Sequence, residues 1–314
     1  MPRKVIIDCD PGIDDAVALC MALFDPRLEV VAITSVAGNV PAECANLNVQ
    51  AIVEQLDPPR YPRIGSATPA ESGPAVDQRH ICGEDGLGNA GFAVSQLARQ
   101  HPSEKLLCDE VHAAPNEITL ICLGPLTNVA RALQRDPNFA NEIGRIVIAG
   151  GSANCVGNVT PCAEFNIYYD PFSARSIFRS ATTKTLIPLD VTSQVGWNFD
   201  LMEQLPSEDS RAGRLLRRIL PYQFRASRQS LGLENILLTD TVAMVAAMHP
   251  ELFAMSELAG DVEISGELTT GMTVFDRRPN SRSRGDMEVA LELNTAGVAD
   301  CIIRSLAEAG RQTQ

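Results

Sequence analysis

The sequence predicts an α/β fold in which a mostly parallel central sheet is flanked by helices on both faces. Short runs of β-branched and other apolar residues alternate with helical patterns through the first two thirds of the chain. Strands that are apolar at nearly every position are typical of parallel sheets covered on both sides. Because no linker, repeat or low-complexity tract divides the chain, we expect residues 1–314 to form one domain with insertions.

The predicted elements follow in order, each strand rich in Val, Ile and Leu and each helix carrying apolar residues at helical spacing. The strands are residues 4–8, 28–34, 117–123, 145–150 and 183–190, and the helices between them are residues 14–24, 42–56, 126–136 and 170–180. After Val191 the pattern becomes helical, near 200–230 and 240–249. Runs at 261–268, 271–275 and 287–293 predict a late antiparallel excursion before a last helix at 296–310.

Composition and charge narrow the class of protein. The 314 residues are 45% hydrophobic and 21% charged, which is typical of a folded globular chain. The net charge of −13 disfavours nucleic acid polymers and anionic membranes as partners. The N-terminus lacks a signal-peptide core, and no apolar run reaches membrane-spanning length. Nine scattered cysteines without a CxxC pair argue against a disulfide framework and a zinc site, so we expect a cytoplasmic protein.

A dense group of carboxylates follows the first predicted strand. Four aspartates fall within the eight residues from Asp8 to Asp15. Such crowding resists ionisation unless a cation, an arginine or shared protons compensate the charge. Carboxylate, amide and carbonyl oxygens favour calcium or magnesium over zinc. An EF-hand is excluded, since Gly12 and Leu19 occupy two of its ligand positions. A divalent-metal site is therefore predicted here.

Polar residues also follow the other predicted strands. Asn39 comes after the second strand, and Asn158, Glu164 and Asn166 come after "RIVIAG". Sites in parallel sheets form outside the carboxyl ends of the strands, so these side chains are expected to converge. The alternatives are local ones: Asp14 could cap a helix that begins at the next residue, and each asparagine could stabilise a turn.

Two further segments allow a functional or a plain interpretation. The long glycine-rich stretch at 66–91 is typical of a functional or mobile loop, with a plain surface connection as an equal alternative. The run "FDRRPNSRSRGD" at 275–286 holds four arginines. These could grip a phosphate, but interruption by turn residues favours a solvated hairpin tip.

Several segments together resemble the inosine-uridine-preferring nucleoside hydrolases across essentially the whole chain. The segments are "DCDPGIDDAVAL", "VAGN", "GPLTN", "GNVTPCAEFNIYYDP", "LLTDTVAM" and "SGELTTGMTVFDRR". The resemblance implies a Rossmann-like α/β fold, a tightly held calcium ion, and hydrolysis of ribonucleosides to free base and ribose. It also implies a homodimer or homotetramer.

The resemblance assigns roles residue by residue. The calcium ligands would be Asp10, Asp15, Asp240 and the backbone carbonyl of Leu123. The ribose would be bound by Asp14, Asn39, Asn158, Glu164 and Asn166. These residue types suit a glycosidic bond that breaks through an oxocarbenium-like state, since carboxylates stabilise the growing positive charge. Asp10 is our choice for the catalytic base that takes the proton of the attacking water.

The chain departs from the family pattern on the side of the base. Relatives carry histidines where this chain has Thr239 and Cys82, and purine-specific relatives use a tryptophan there, whereas the only tryptophan, Trp197, lies elsewhere. The candidates for contacting the base are Cys82, Thr239, His80, Tyr222, Arg225, Arg228 and Gln229. A surface role is the plain alternative for the last five. Our hypothesis is that an arginine or tyrosine of 222–229 contacts the base.

Other functions compete with hydrolysis. With both histidines replaced, the chain could bind ribonucleosides with calcium and without turnover, or act on an unusual nucleoside. "DCDPG" also loosely resembles the strand-end motif of phosphotransferases that form an aspartyl-phosphate, but the usual hydroxyl residue after the second aspartate is absent. Residues suited to stabilising a transition state would have little purpose in a binder, which favours catalysis.

Overall fold

The computed structural model describes residues 2–69, 76–95, 100–278 and 286–314. The strands are β1 (Arg3–Cys9), β2 (Leu28–Ser35), β3 (Arg63–Ser66), β4 (His101–Pro102), β5 (Thr119–Cys122), β6 (Arg145–Ala149), β7 (Lys184–Ile187), β8 (Gly196–Trp197), β9 (Ile236–Leu237), β10 (Phe253–Val262), β11 (Thr273–Asp276) and β12 (Met287–Leu293). Parts of the loop at 66–91 and of the arginine run at 275–286 lie outside the described residues.

The helices alternate with these strands as the sequence predicts. They are α1 (Ile13–Leu23), α2 (Ala42–Leu56), α3 (Arg79–Cys82), α4 (Ser103–Ala113), α5 (Thr127–Arg135), α6 (Phe139–Glu142), α7 (Phe165–Tyr169), α8 (Pro171–Phe178), α9 (Leu189–Thr192), α10 (Leu201–Gln204), α11 (Arg211–Ala226), α12 (Thr239–Met248) and α13 (Thr295–Gln312). A π-helix (Ser227–Leu231) extends α11, and a 3-10 turn (Pro250–Leu252) precedes β10. Among the described residues, no helix combines the length and apolar character that a membrane crossing requires.

Ten strands form one sheet in the order β11-β10-β12-β7-β6-β5-β1-β2-β3-β4. Neighbours from β12 through β4 run parallel, while β10 is antiparallel to both β12 and β11. The predicted parallel sheet with a late antiparallel excursion is therefore confirmed. The strand order reverses at β1, because β2 to β4 lie on one side of it and β5 to β7 on the other. Ligand sites in open α/β sheets form at such a switch point, beyond the carboxyl end of the strand.

The apolar core lies on both faces of the sheet. Along β1, Val5, Ile7 and Cys9 pack into the cluster formed with α1, α2, α11, α12 and α13. Ile6 faces the opposite side and packs with residues of α4, α5 and α8. Because both faces are covered, successive strand residues are buried, which explains why the predicted strands read as continuous apolar runs.

One predicted strand is wrong in detail, and one local alternative is excluded. Only the first two residues of the run at 261–268 lie in a strand: β10 spans Phe253–Val262, and a turn follows in which the Glu263 carboxylate accepts hydrogen bonds from the backbone N–H groups of Ser265 and Gly266. Helix α1 begins at Ile13, so Asp14 lies inside its first turn and does not cap it. The local alternative for Asp14 is thereby excluded.

Candidate active site

Three carboxylates meet beyond the carboxyl end of β1. Ligand oxygens of Asp14, Asp15 and Asp240 all lie within 4.8 Å of one another. Asp14 and Asp15 belong to the first turn of α1, and Asp240 belongs to the first turn of α12. The positive ends of two helix dipoles therefore face this cluster and favour its negative charge. The sequence predicted the first two residues at this position, and the resemblance supplied the third.

Asp10 lies beside this cluster in a narrow backbone slot. Its Oδ2 accepts a hydrogen bond from the backbone N–H of Asn39 at 2.6 Å, and its backbone carbonyl accepts one from Asn39 Nδ2 at 3.1 Å. A Cβ atom at Gly124 would lie 2.6 Å from Asp10 Oδ1, and one at Gly38 would lie 2.8 Å from Asp10 Cγ. Only glycine fits at these two positions because the carboxylate approaches the backbone so closely.

Asp15 is fully buried, and only one of its two carboxylate oxygens has hydrogen-bond partners. Its Oδ2 accepts hydrogen bonds from the backbone N–H of Gly12 at 2.8 Å and from Asn39 Nδ2 at 3.2 Å. Its Oδ1 is buried and has no hydrogen-bond partner. A buried carboxylate oxygen without a donor is rare in folded proteins, and at a cluster of hard oxygen donors it is available to a cation.

The electrostatics of the cluster point to a missing positive charge. Burial raises the pKa of Asp10 and Asp240 well above the ordinary range, and the neighbouring carboxylates raise it further. Burial and the charge of Asp14 raise the pKa of Asp15 to about 7. Among the described residues, no lysine or arginine pairs with any of the four. The donor set of this site fits a divalent cation.

Asp8 is not part of this cluster, although the sequence groups it with the other aspartates. Its Oδ1 accepts hydrogen bonds from Thr34 Oγ1 at 2.5 Å and from Asn128 Nδ2 at 2.8 Å. Burial raises its pKa to about 7. Asn128 also donates to the backbone carbonyl of Ser35. Asp8 therefore ties the carboxyl ends of β1 and β2 to the start of α5.

Glu164 organises the loop that follows β6. Its Oε1 accepts the backbone N–H of Asn166 at 2.9 Å, and its Oε2 accepts those of Gly151 at 2.9 Å and Ile167 at 3.2 Å. These bonds cap α7 and fix the buried carboxylate. Burial raises the pKa of Glu164 despite the three donors.

Asn166 joins the ends of two strands. Its Nδ2 donates to the backbone carbonyl of Leu123 at 2.6 Å and to that of Ala149 at 3.1 Å. The predicted carbonyl ligand, Leu123, is thus held by a residue of the predicted ribose set. Asn158 is exposed, and its Oδ1 accepts the backbone N–H of Phe165 at 2.9 Å, which fastens its loop to α7.

Two of the predicted base-side residues lie at the acidic cluster. Thr239 Oγ1 donates to Asp14 Oδ2 at 3.1 Å. The buried thiol of Cys82 donates to the backbone carbonyl of Gln78 at 3.1 Å. Burial and the charges of Asp14 and Asp10 hold the pKa of this thiol far above its ordinary value. Neither side chain carries a positive charge that could offset the cluster.

The other base-side candidates lie at the surface or beside it. Tyr222 is half-buried near the end of α11, and the guanidinium of the exposed Arg225 lies 5.7 Å from the centre of its ring. Arg228 is exposed and pairs with Glu234 at 3.7 Å. Gln229, on the π-helix, and His80, on α3, are exposed. The structure brings none of these five into the acidic cluster.

The described arginines of the 275–286 run have acidic or amide partners. Arg278 forms an ion pair with Asp276 at 2.7 Å, and Arg277 donates to Asn154 Oδ1. Residues 279–285, which include the two other arginines, lie outside the described residues.

Solved structures of nucleoside hydrolases share this fold over nearly their whole length. A purine-preferring ribonucleoside hydrolase from Gardnerella vaginalis superposes with a TM-score of 0.91 at 28% identity, covering 98% of this chain and 99% of that chain. A plant nucleoside hydrolase superposes with a TM-score of 0.88 at 32% identity, with the same coverage. The fold and the site thus define the class of the protein, a nucleoside hydrolase.

Sequence relatives agree with this class. The chain is 36% identical over 296 residues to the non-specific ribonucleoside hydrolase RihC of Salmonella enteritidis, covering 93% of this chain and 94% of the relative. It is 33% identical over 276 residues to a probable uridine nucleosidase of Oryza sativa, covering 87% and 85%. The model of the inosine-uridine preferring nucleoside hydrolases matches residues 5–300, and the chain belongs to that family.

Proposed function

We propose that the protein uses calcium to hydrolyse the N-glycosidic bond of ribonucleosides, giving free base and ribose. The observation that carries this proposal is the buried carboxylate cluster at the switch point, with an unpartnered Asp15 Oδ1 and no neighbouring lysine or arginine among the described residues. Hard oxygen donors of this kind suit calcium. Membership in a family of nucleoside hydrolases supplies the reaction class.

The proposed calcium ligands are the carboxylates of Asp10, Asp15 and Asp240 and the backbone carbonyl of Leu123. A carbonyl oxygen has two lone pairs, so Leu123 can bind a cation while it accepts the hydrogen bond from Asn166. The three carboxylates whose oxygens lie within 4.8 Å of one another include Asp14 and not Asp10, whose Oδ2 accepts the backbone N–H of Asn39. A bound calcium ion would acidify the attacking water and neutralise the repulsion among the carboxylates.

In the proposed reaction, Asp10 accepts the proton of the water that attacks the anomeric carbon. Its slot supports this role, since a base must be fixed within hydrogen-bond reach of the proton that it takes. Glu164 and the cluster place negative charge around the sugar, where positive charge develops as the glycosidic bond breaks.

The proposed ribose contacts are Asp14, Asn39, Asn158, Glu164 and Asn166. The proposal is supported for three of them, since Asp14 belongs to the acidic cluster, Asn39 binds Asp15, and Asn166 binds the Leu123 carbonyl. A site built to bind hydroxyl groups leaves its own buried groups unpaired when a hydroxyl is missing. Loss of a hydroxyl in such sites lowers kcat/KM by about 10⁴-fold. We therefore expect 2′-deoxynucleosides to be poor substrates.

The base side of the site has Thr239 and Cys82 in place of the histidines expected from the family resemblance. The leaving base must therefore be stabilised by other groups. The Thr239 hydroxyl donates to Asp14, and the raised pKa of Cys82 keeps its thiol protonated and weakly acidic. Neither group is a strong acid. We propose that Tyr222 or Arg225 contacts the base, or that the enzyme acts on a modified nucleoside whose base leaves without strong protonation.

Assembly and location are also proposals. We infer a cytoplasmic enzyme, supported by nine cysteines that are all free, as expected for a reducing compartment. A homodimer or homotetramer stays a prediction, which sedimentation analysis of the purified protein would measure.

The test of the proposed function is release of reducing sugar from purine and pyrimidine ribonucleosides and their 2′-deoxy counterparts. The assay is run before chelation, after exhaustive chelation and after calcium is returned. We expect turnover of ribonucleosides only, lost on chelation and restored by calcium. Repeating it with Tyr222→Phe and Arg225→Ala tests the base contact. Binding of a ribonucleoside without turnover in any condition would refute hydrolysis.

A further inference from the structure

Asn48 joins two loops that approach the site from different parts of the chain. It is a buried residue of α2. Its Nδ2 donates to the backbone carbonyl of Pro11 at 3.0 Å and to that of Asp85 at 2.7 Å. Pro11 follows the predicted base Asp10, and Asp85 lies in the loop formed by residues 83–91. We propose that Asn48 is a positioning residue that fixes this 83–91 loop against the metal-binding loop.

The 83–91 loop is held together by the side chain of Asp85. The Asp85 carboxylate accepts hydrogen bonds from the backbone N–H groups of Leu87 and Asn89, both at 2.8 Å, and Gly91, at 3.0 Å. These bonds fix the backbone of the loop relative to itself, as in compact loops packed by their own side chains. Its position relative to the site is then set by the few contacts that attach it to the rest of the protein.

One attachment is the junction at Asn48. A Cβ atom at Gly86 would lie 2.6 Å from Asn48 Nδ2 and 2.8 Å from Val40 Cγ1, so the loop touches the helix too closely for a side chain. Gly86 also has a positive φ of 78°. The thiol of Cys44 donates to the same Asp85 carbonyl at 3.3 Å. Asn48 differs from Cys44 because it also binds Pro11.

The loop connects two of the proposed base-side residues. Cys82 directly precedes it, and a Cβ atom at Gly88 would lie 2.9 Å from Tyr222 Cβ, which shows how tightly the far side of the loop packs on α11. A shift of the loop therefore changes the surface that lies between Cys82 and Tyr222. This inference rests on the proposed function, in which those residues line the base side of the site.

The metal ligands have anchors of their own. Asp10 is fixed by Asn39, and Asp15 is fixed by Gly12 and Asn39. Removing the Asn48 amide leaves those bonds in place while it removes the side chain that ties the loop to Pro11. Asn48 is therefore expected to act on nucleoside binding and to have little influence on calcium binding.

The experiment compares Asn48→Ala with Gln50→Ala in the full-length, calcium-loaded protein. Gln50 is a matched control because it is buried in the same helix and donates to Ser95, outside the 83–91 loop. We expect Asn48→Ala to raise KM for the best ribonucleoside by about tenfold, because binding must then order a loop that has lost one of its attachments. The calcium Kd, measured by calorimetry, is expected to stay within about twofold. Gln50→Ala should change neither quantity.

Gly86→Ala disturbs the same junction from the loop side and gives the same expected pattern if Asn48→Ala fails to fold. A folded Asn48→Ala or Gly86→Ala protein with an unchanged KM would overturn the proposal. So would a calcium Kd that rises in proportion to KM, since Asn48 would then act through the metal ligands. If the wild type binds ribonucleosides without turnover, the proposed function fails, and the ribonucleoside Kd of the same variants still tests Asn48.

Discussion

Gly38 tests whether the placement of Asp10 controls turnover. In Gly38→Ala, the new Cβ would lie 2.8 Å from Asp10 Cγ and still closer to Oδ2. Non-bonded carbon atoms separate to about 3.5–4.0 Å, so the carboxylate must move by about 0.7–1.2 Å. Displacement of a catalytic group by about 1 Å costs about 10²-fold in rate. Overpacking of this kind also costs about 1–3 kcal/mol of folding stability. We therefore expect kcat to fall about 100-fold in a protein that is less stable but folded.

The assay is steady-state release of reducing sugar, with thermal unfolding recorded in parallel. Gly196→Ala is the matched control, because a Cβ there would meet only Asn235 at 3.5 Å, an ordinary contact. This control should keep the wild-type kcat. If folded Gly38→Ala retains kcat within about threefold of wild type, then a fixed position of Asp10 is not needed, and the assignment of the base to Asp10 is wrong.

Two further predictions concern the cation and pH. Asp15→Asn is expected to weaken calcium binding by about 100-fold or more, because a ligating charge is lost, and to stabilise the metal-free protein at neutral pH, because repulsion is relieved. Calorimetry and thermal unfolding measure these effects, with the exposed Asp200→Asn as the control. The pKa of Asp15, raised from 3.8 to about 7, means that the folded state binds protons more tightly than the unfolded state. The free energy of unfolding of the metal-free protein should therefore fall as pH rises from about 4 to about 7, and calcium should remove most of this dependence. A metal-free protein whose stability rises over that interval would contradict the raised pKa.

The sequence was sufficient for the fold class because the evidence is local and repeated. Continuous apolar strands that alternate with amphipathic helices have few other ways to bury their side chains. It failed after Val262, where a turn stabilised by the Glu263 carboxylate replaces the rest of the strand expected at 261–268. Alternation of apolar and polar residues does not distinguish a strand from such a turn when the hydrogen bonds that form the turn come from a single side chain.

The candidate site was also predictable from the sequence only in part. The carboxylates of the first loop were recognisable in the sequence from their crowding. Gly38 and Gly124 belong to the motifs "VAGN" and "GPLTN", which are among the segments that carry the family resemblance. Both glycines leave room for the Asp10 carboxylate, and this role appears only when the segments that contain Asp10, Gly38 and Gly124 meet at one point. Asp8 illustrates the limit most clearly. It is one of four similar residues in the sequence, yet its side chain binds Thr34 and Asn128 away from the cluster.

The sequence by itself determined the layered α/β architecture, the family, and an acidic loop that requires compensation by positive charge. The tertiary structure decided which aspartates share one site, which oxygen of Asp15 has no donor, and which buried amide connects the loops at Pro11 and Asp85. The physical reason is that composition and periodicity act within a segment. The spacing of carboxylates, glycines and amides from distant segments is set only when the strands pair and the helices pack around them.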